Sequence, residues 1–416
     1  MRFYAQWNEV GQAKSMDFNL TAEQEGFRLA VREFCQKEIA PRARAMDTKR
    51  ELDEGLIDKM GAQELMGITI PPEYGGPGAD FVSAAIVAEE IARADVSCAT
   101  AVMYLLTTGW SFLLTKHATS TLKEELLPKV AKGKSLVGIL STEPQGGSDI
   151  AGLKTRITRE GNKLVVNGQK SYISLVREIQ RRGGGYLMLG SSEPSLGHRG
   201  MTALYMPLDR PGISTGLVED MGRMALSTGN VDMKKVEVPE HYLVGEWNKG
   251  FYVGMEGFQA ARVLVSAACI GCWEGVLDRG MSYIKERETF GTPLAKYEGI
   301  QFPLVDSYAT LEADKLLVYR AAWAVDELYR KGATKQESRR VAMLAAQAKL
   351  RAPVDAFQGC STVMDMLGAY GYTTKCDVEM ALRGVKSYSA GAEGGQNIMR
   401  IIIGREILGD EYVPQH

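Results

Sequence analysis

Histidine is scarce in this chain: four occur in 416 residues, His117, His198, His241 and His416, none at metal-ligand spacing from another. A histidine-based metal centre is therefore not expected. Cysteine is sparse too, with Cys35, Cys98, Cys269, Cys272, Cys360 and Cys376. Only Cys269 and Cys272 form a CxxC, inside the apolar run AACIGCWEG. That pair reads either as a redox couple or as two small residues packing in a helix, and the βαβ context of a thioredoxin site is missing. The formal net charge is -2 and no basic tract is present, which argues against nucleic acid or an anionic membrane as a partner. No apolar run is expected to reach the length that crosses a bilayer. The first fifteen residues carry one glutamate and little positive charge, unlike a signal or transit peptide. Met16-Asp-Phe-Asn-Leu reads as a natural start, which makes residues 1–15 an extension. These features together point to a reducing compartment, the bacterial cytoplasm.

What is present is an ordinary globular balance, 45% hydrophobic and 24% charged, over a length that suggests two or three domains. Leu20 to Arg44 has helical apolar spacing, opened by Thr21 with Gln24 three residues on, a capping box. After the turn cluster PPEYGGPGAD, helical period resumes from Phe81 to Ala94 and continues to about Lys132. From Leu136 to Val244 the chain turns Gly-rich with short alternating runs. KLVVNGQKSYIS reads as two strands joined by a tight turn at Asn167-Gly168, and MTALYMPL and NVDMKKVEVP as further strands. Long helical patterns return at 250–285, 299–330, 336–368 and from about 395. The expected fold is α+β and multidomain: an N-terminal helical domain (16–135), a middle antiparallel β domain (136–245) and a C-terminal four-helix bundle (246–416).

Four places carry chemistry. Leu140-Ser-Thr-Glu-Pro-Gln-Gly-Gly-Ser-Asp149 offers a strand end, the hydroxyls of Ser141, Thr142 and Ser148, and a glycine turn whose amides are free to approach a phosphate or a ring heteroatom. The plain alternative is a polar connection between strands. Arg262 sits mid-helix among small and apolar residues, where a lone guanidinium needs an anion; Arg287 follows Glu286 at a helix end, where it can grip a phosphate or form a surface ion pair. Glu393 lies between Ala392 and Gly394-Gly395 just before a helix beginning near Asn397. On a glycine-flanked loop, a carboxylate can act as a general base, or it can simply favour the helix dipole.

In order, TEPQGGSD, KSYIS, ERETFGTPL, LGAYGY and AEGGQNIMRIIIGREIL resemble the acyl-CoA dehydrogenase family, over about Phe18 to Leu408. The resemblance implies FAD, with its flavin ring in the β domain. Ser141 and Thr142, with Leu140, would meet the ring edge, and Tyr172 and Ser174 its other side. Ser148 would lie near the cofactor and the CoA pyrophosphate. A neighbouring subunit would bring Arg287 and Phe290 to the FAD diphosphate and adenosine, beside Asp365 and Gly368, and Gly395 and Asn397 complete the cofactor set. Glu393 would remove the proton next to the thioester carbonyl, with Arg262, Gly394 and Ser148 toward the CoA thioester. The family's other base position is Ala261 here, which cannot act. A homotetramer built as a dimer of dimers, and an electron-transfer flavoprotein as acceptor, follow from the same likeness.

Several positions depart from the family pattern. Leu175-Val176-Arg177 and RRGGG at Arg181 to Gly185 replace the usual Asn-Gly, which would reshape a loop beside the flavin. Asp365 and Ala369 stand where glutamine and glycine are common, and Gly395 replaces a hydroxyl residue. Ala99 stands where glutaryl-CoA dehydrogenases place an arginine, which disfavours a dicarboxylic acyl group and suits a compact, uncharged one; EGGQNI resembles enzymes of alicyclic thioesters such as cyclohexane-1-carboxyl-CoA. Asp95 reads as an exposed helix carboxylate or as a second acid–base group. Rival functions are an acyl-CoA oxidase or flavin monooxygenase on the same fold, and a non-catalytic member that binds nucleic acid.

Overall fold

A computed structural model describes residues 18–332 and 334–413, so the expected extension at 1–15 lies outside the described residues. The N-terminal part is helical: α1 (Ala22–Phe34), a π turn (Cys35–Ile39), α2 (Ala40–Lys49), α3 (Glu54–Ala62), α4 (Phe81–Ala94), α5 (Ala99–His117) and α6 (Ser120–Ala131). The capping box forms as expected: Gln24 N donates to Thr21 Oγ1 and Thr21 N donates to Gln24 Oε1, both at 3.1 Å. Asp80 caps α4 through the Ser83 amide at 2.7 Å.

The middle part holds β1 (Leu136–Leu140), β2 (Arg156–Glu160), β3 (Lys163–Ser174), β4 (Gly184–Ser191), β5 (Met201–Pro207), β6 (Ile213–Val218), β7 (Thr228–Pro239) and β8 (Leu243–Val244). They form one sheet in the order β6-β7-β3-β2-β4-β5-β8, with β1 paired to β4. The sheet is antiparallel except where β1 runs parallel to β4, and β2 touches β4 in parallel at one bridge. LVGIL and YLML are buried along almost their whole length, the continuous apolar pattern of strands covered on both faces.

Two expectations in this region fail. Asn167-Gly168 does not turn the chain; it lies inside β3, at a shift in register against β7. The hairpin is one turn earlier, where Glu160 faces Lys163 across Gly161-Asn162 and Gly161 takes φ +61°. Gly168 is required for a different reason, since a Cβ there would lie 2.4 Å from Thr155 Oγ1. The segment read as a reshaped loop is a helix, α7 (Val176–Arg182), whose arginines tie the sheet to the N-terminal part. Arg182 Nε donates to the Gly133 carbonyl at 2.6 Å, and Arg177 Nη2 to that of Arg50 at 2.8 Å.

The C-terminal part comprises α8 (Gly250–Glu286), a two-stranded ribbon β9 (Glu288–Thr289) and β10 (Thr292–Pro293), α9 (Glu298–Lys331), α10 (Lys335–Leu367), α11 (Val378–Ala390) and α12 (Gln396–Leu408). α11 is an addition to the four expected segments; it is short and bracketed by turn residues, yet Val378, Ala381, Val385 and Tyr388 repeat at helical spacing and are buried. The spine of the protein is α8, packed against α4, α5 and α10. It also corrects the expectation about apolar runs: α8 has a window long and apolar enough to cross a membrane, but 94% of that window is buried in the fold. Cys269 and Cys272 are therefore core residues of α8, and the Cys272 thiol donates to the Val96 carbonyl at 3.3 Å. Gly271 allows α4 to press against α8, since a Cβ there would meet the Glu89 carbonyl at 2.0 Å. Within the N-terminal part Arg32 grips buried Glu90 bidentately at 2.9 and 2.7 Å, and charge then ties the two helical parts together where Lys315 and Tyr319 of α9 join Arg28 on buried Glu89.

Candidate active site

A cavity of about 860 Å³ opens between the sheet and the helices. Its β wall begins where β1 ends. Ser141, Thr142, Gly147 and Ser148 line it, followed by Tyr172 and Ser174 from the end of β3. A buried ion pair holds this wall. The Lys170 ammonium uses its three protons on Glu143 Oε1 at 2.9 Å, the Ser141 carbonyl at 3.0 Å and the Leu189 carbonyl at 2.8 Å. Glu143 also accepts from the Lys154 and Thr155 amides at 2.7 and 3.0 Å. Burial pushes the Glu143 carboxyl up, but Lys170 and these donors outweigh it and hold it down at about 2. Burial in turn lowers Lys170 to about 8, with Glu143 opposing. Each member keeps the other charged, because the three ammonium protons and the carboxylate oxygens all find partners.

Tyr172 takes φ +58°, uncommon for a non-glycine residue in a strand, and the residue is 68% exposed. Beside it the Ser174 hydroxyl accepts from Arg223 Nη1 at 3.5 Å, while Arg223 Nη2 donates to Asp220 at 2.9 Å. Thr228 Oγ1 donates to the same Asp220 oxygen at 2.6 Å. Accepting from Arg223 leaves the Ser174 hydroxyl able to donate to a group bound in the cavity that it lines. A presented aromatic face flanked by the hydroxyls of Ser174 and Thr142 suits a planar, hydrogen-bonding ring, so the residues present fit the flavin that the likeness implies.

The helical wall carries the chemistry. Glu393 sits between α11 and α12, at φ +52°, followed by Gly394 at φ +106°. It is only 8% exposed, and burial raises its carboxyl to about 7 against the pull of Arg262 and Lys349. A carboxyl poised near neutrality in a closed site is suited to proton abstraction. Arg262, from α8, lies beneath the loop: its Nε donates to the Glu393 carbonyl at 3.0 Å, and burial lowers it to about 10. Val102, Leu105 and Leu106 of α5 add an apolar floor.

The structure brings Glu393, Gly394, Gly395, Arg262, Ser141, Thr142, Ser148, Tyr172 and Ser174 around this one cavity. Leu140 is buried just behind it. Ala99, at the start of α5, is fully buried and does not line the cavity, which α5 reaches one turn later at Val102. Asn397 does not line the cavity and accepts from Arg400 at 3.0 Å. Asp95 is neither exposed nor in the cavity. Its carboxylate is fully buried and binds the Ser97 amide and hydroxyl at 3.1 and 2.6 Å and the Thr100 amide at 3.0 Å, which anchors the start of α5. Arg287, Phe290, Asp365 and Gly368 are exposed and stand off the cavity, near the ends of α8 and α10 where Tyr283 stacks on Tyr370 at 5.3 Å. Sequence reasoning missed Glu143, Lys170, Lys349, Asp220, Arg223 and the α12 residue Arg405, which also lines the cavity. Only Lys349 had a readable signal: it falls on the apolar stripe Leu344, Ala345, Ala348, Ala352, Ala356 of α10.

Comparison with known proteins gives one answer along the whole chain. Residues 21–134 match the acyl-CoA dehydrogenase N-terminal domain, 138–236 the middle domain and 248–408 the C-terminal domain. An acyl-CoA dehydrogenase of Bacillus subtilis is 32% identical over 396 residues, 94% of this chain and 99% of that one. A cyclohexane-1-carbonyl-CoA dehydrogenase of Geobacter metallireducens is 31% identical over 394 residues, 94% of this chain and 99% of that one. Among solved structures, a chain from work on the electron transferring flavoprotein of Acidaminococcus fermentans superposes with a TM-score of 0.88 at 30% identity, covering 95% of this chain and 100% of that one.

Proposed function

The chain belongs to the acyl-CoA dehydrogenase family of FAD-dependent oxidoreductases, and from that premise we propose that it introduces a double bond between the α- and β-carbons of a compact, uncharged acyl-CoA with Glu393 as the base. One observation carries the reading: among the described residues the only carboxyl on the cavity's helical wall, that of Glu393, is buried, held near 7, and shares the cavity with the hydroxyls of Ser141, Thr142 and Ser174. Bound FAD supplies the acceptor for the hydride that leaves the β-carbon. The chain's own work is to take the α-proton on Glu393, and to place the Glu393 amide where negative charge gathers on the thioester oxygen. Arg262 steadies the loop from below by its bond to the Glu393 carbonyl.

For the acyl group, the apolar floor of Val102, Leu105 and Leu106 supports a short, branched or alicyclic chain. The 31% identical cyclohexane-1-carbonyl-CoA dehydrogenase supports the alicyclic branch. For assembly, Phe302, Val305, Leu316 and Trp323 form an exposed apolar stripe along α9, and Arg287 and Phe290 stand exposed beyond the cavity. Both features support a homotetramer in which one subunit completes its neighbour's FAD site. An electron-transfer flavoprotein is the proposed acceptor, in keeping with the neighbour described above. Anaerobic titration of the yellow protein with linear, branched and alicyclic thioesters tests the substrate class. Bleaching by the compact uncharged members is expected; bleaching by glutaryl-CoA alone would contradict it, and equal turnover with oxygen as sole acceptor would make the protein an oxidase.

A further inference from the structure

Lys349 is fully buried in the middle of α10, a place where a leucine or methionine would fill the same space with no ion to desolvate. Its ammonium donates to the Tyr388 carbonyl at 2.7 Å and to the Gly394 carbonyl at 3.3 Å. The first of these is a last-turn carbonyl of α11, which lacks a helical donor because the helix ends at Ala390. The second immediately follows the Glu393 carbonyl, which Arg262 already holds at 3.0 Å. Two buried cations from two different helices thus bind consecutive carbonyls of a loop whose residues 393 and 394 both take positive φ. Such a backbone persists only where its surroundings over-determine it.

We infer that Lys349 is a positioning residue for the reaction: it ties the end of α11 to the Gly394 carbonyl and, together with Arg262, fixes the backbone from which the Glu393 carboxyl and amide face the cavity. The inference rests on Glu393 being the base. The two cations also set the charge of the site. Glu393 is flanked by Arg262 from α8 and Lys349 from α10, and Lys349 is itself faced by Cys269, Arg262 and Glu393. Both cations favour the ionised carboxylate. Removing the ammonium therefore leaves Glu393 harder to ionise, and the acid limb of the pH profile moves to higher pH.

Lys349→Met removes the charge and both donors; Lys349→Gln keeps donors without charge. Both are compared with Glu393→Gln in full-length, FAD-loaded protein, with anaerobic flavin bleaching by butyryl-CoA or cyclohexane-1-carbonyl-CoA as the kinetic readout. For Lys349→Met the maximal rate should fall about 10- to 100-fold with KM within about threefold, and the half-maximal pH should rise by about one. For Lys349→Gln the rate at high pH should largely recover while the acid limb stays displaced. Hydrogen exchange, read by mass spectrometry, should speed up about tenfold in the Lys349→Met peptide spanning 388–399 and stay unchanged elsewhere on α10. Wild-type rate and pH profile in Lys349→Met would overturn the inference, as would loss of folded protein in both variants, since Lys349 would then serve the whole fold and not the loop. If Glu393→Gln bleaches normally, the base assignment fails instead, and the two failures are told apart.

Discussion

Glu393 should cost the protein stability in a pH-dependent way, and replacing it should reveal how much. Its carboxyl stands at about 7 in the fold against an ordinary 4.5, with burial as the chief cause. Below pH 4.5 the folded and unfolded chains both hold this proton, so glutamate and glutamine are equivalent. Between 4.5 and about 7 the unfolded chain releases the proton while the folded chain keeps it, and the folded state loses ground as pH rises. Above about 7 the full difference stands: a gap of about 2.5 in pKa at 1.36 kcal/mol each gives about 3 kcal/mol. Glu393→Gln keeps the shape and removes the charge. Its melting temperature, measured at equal FAD content, should match wild type near pH 4 and exceed it by several degrees at pH 8.5. A variant equally stable at both pH values, or one destabilised at pH 8.5, would refute the reasoning that this carboxylate is held in a costly, closed site.

Other consequences are as specific. In wild-type protein the rate of anaerobic bleaching should rise with pH through about 7, because only the ionised Glu393 accepts the proton; a flat profile from pH 6 to 8 would count against it. Lys170→Met strands the Glu143 carboxylate behind the flavin wall and should lower stability by about 3–5 kcal/mol, with weaker FAD retention by fluorescence. Gly168→Ala forces a Cβ against Thr155 and should reduce thermal stability, checked by calorimetry. If Arg287 serves a neighbour, Arg287→Ala and Glu393→Gln should each be inactive alone. Mixed under conditions of subunit exchange, they should regain bleaching, because one hybrid site then holds both native residues; failure to regain it would place Arg287 outside the FAD site.

Much of this arrangement was legible in the sequence because local chemistry and tertiary position agree. Asp80 caps a helix whose apolar period starts one residue later, so Phe81–Ala94 reads directly. Glu393 reads as reachable because glycines follow it, and the structure places it in the cavity. Two misreadings, the turn and the surface carboxylate, share one cause: a strong local signal overruled by packing. Asn167-Gly168 is a good turn, but the two-residue turn at Gly161-Asn162 sets the register and the glycine is absorbed in a bulge. Asp95 looks like a surface carboxylate until the start of α5 folds around it. Lys170 looks like a solvated lysine, and nothing in its immediate neighbours shows that it holds a buried carboxylate and two carbonyls; Lys349 falls on the apolar stripe of α10, but the stripe does not show which carbonyls it binds. α11 escaped notice because thirteen residues bounded by turn formers carry too few helical repeats to stand out.

The most direct test of the account is anaerobic addition of a bleaching thioester to Glu393→Gln protein that still carries FAD. The account predicts that the yellow colour persists while the thioester binds; bleaching at the wild-type rate would contradict it.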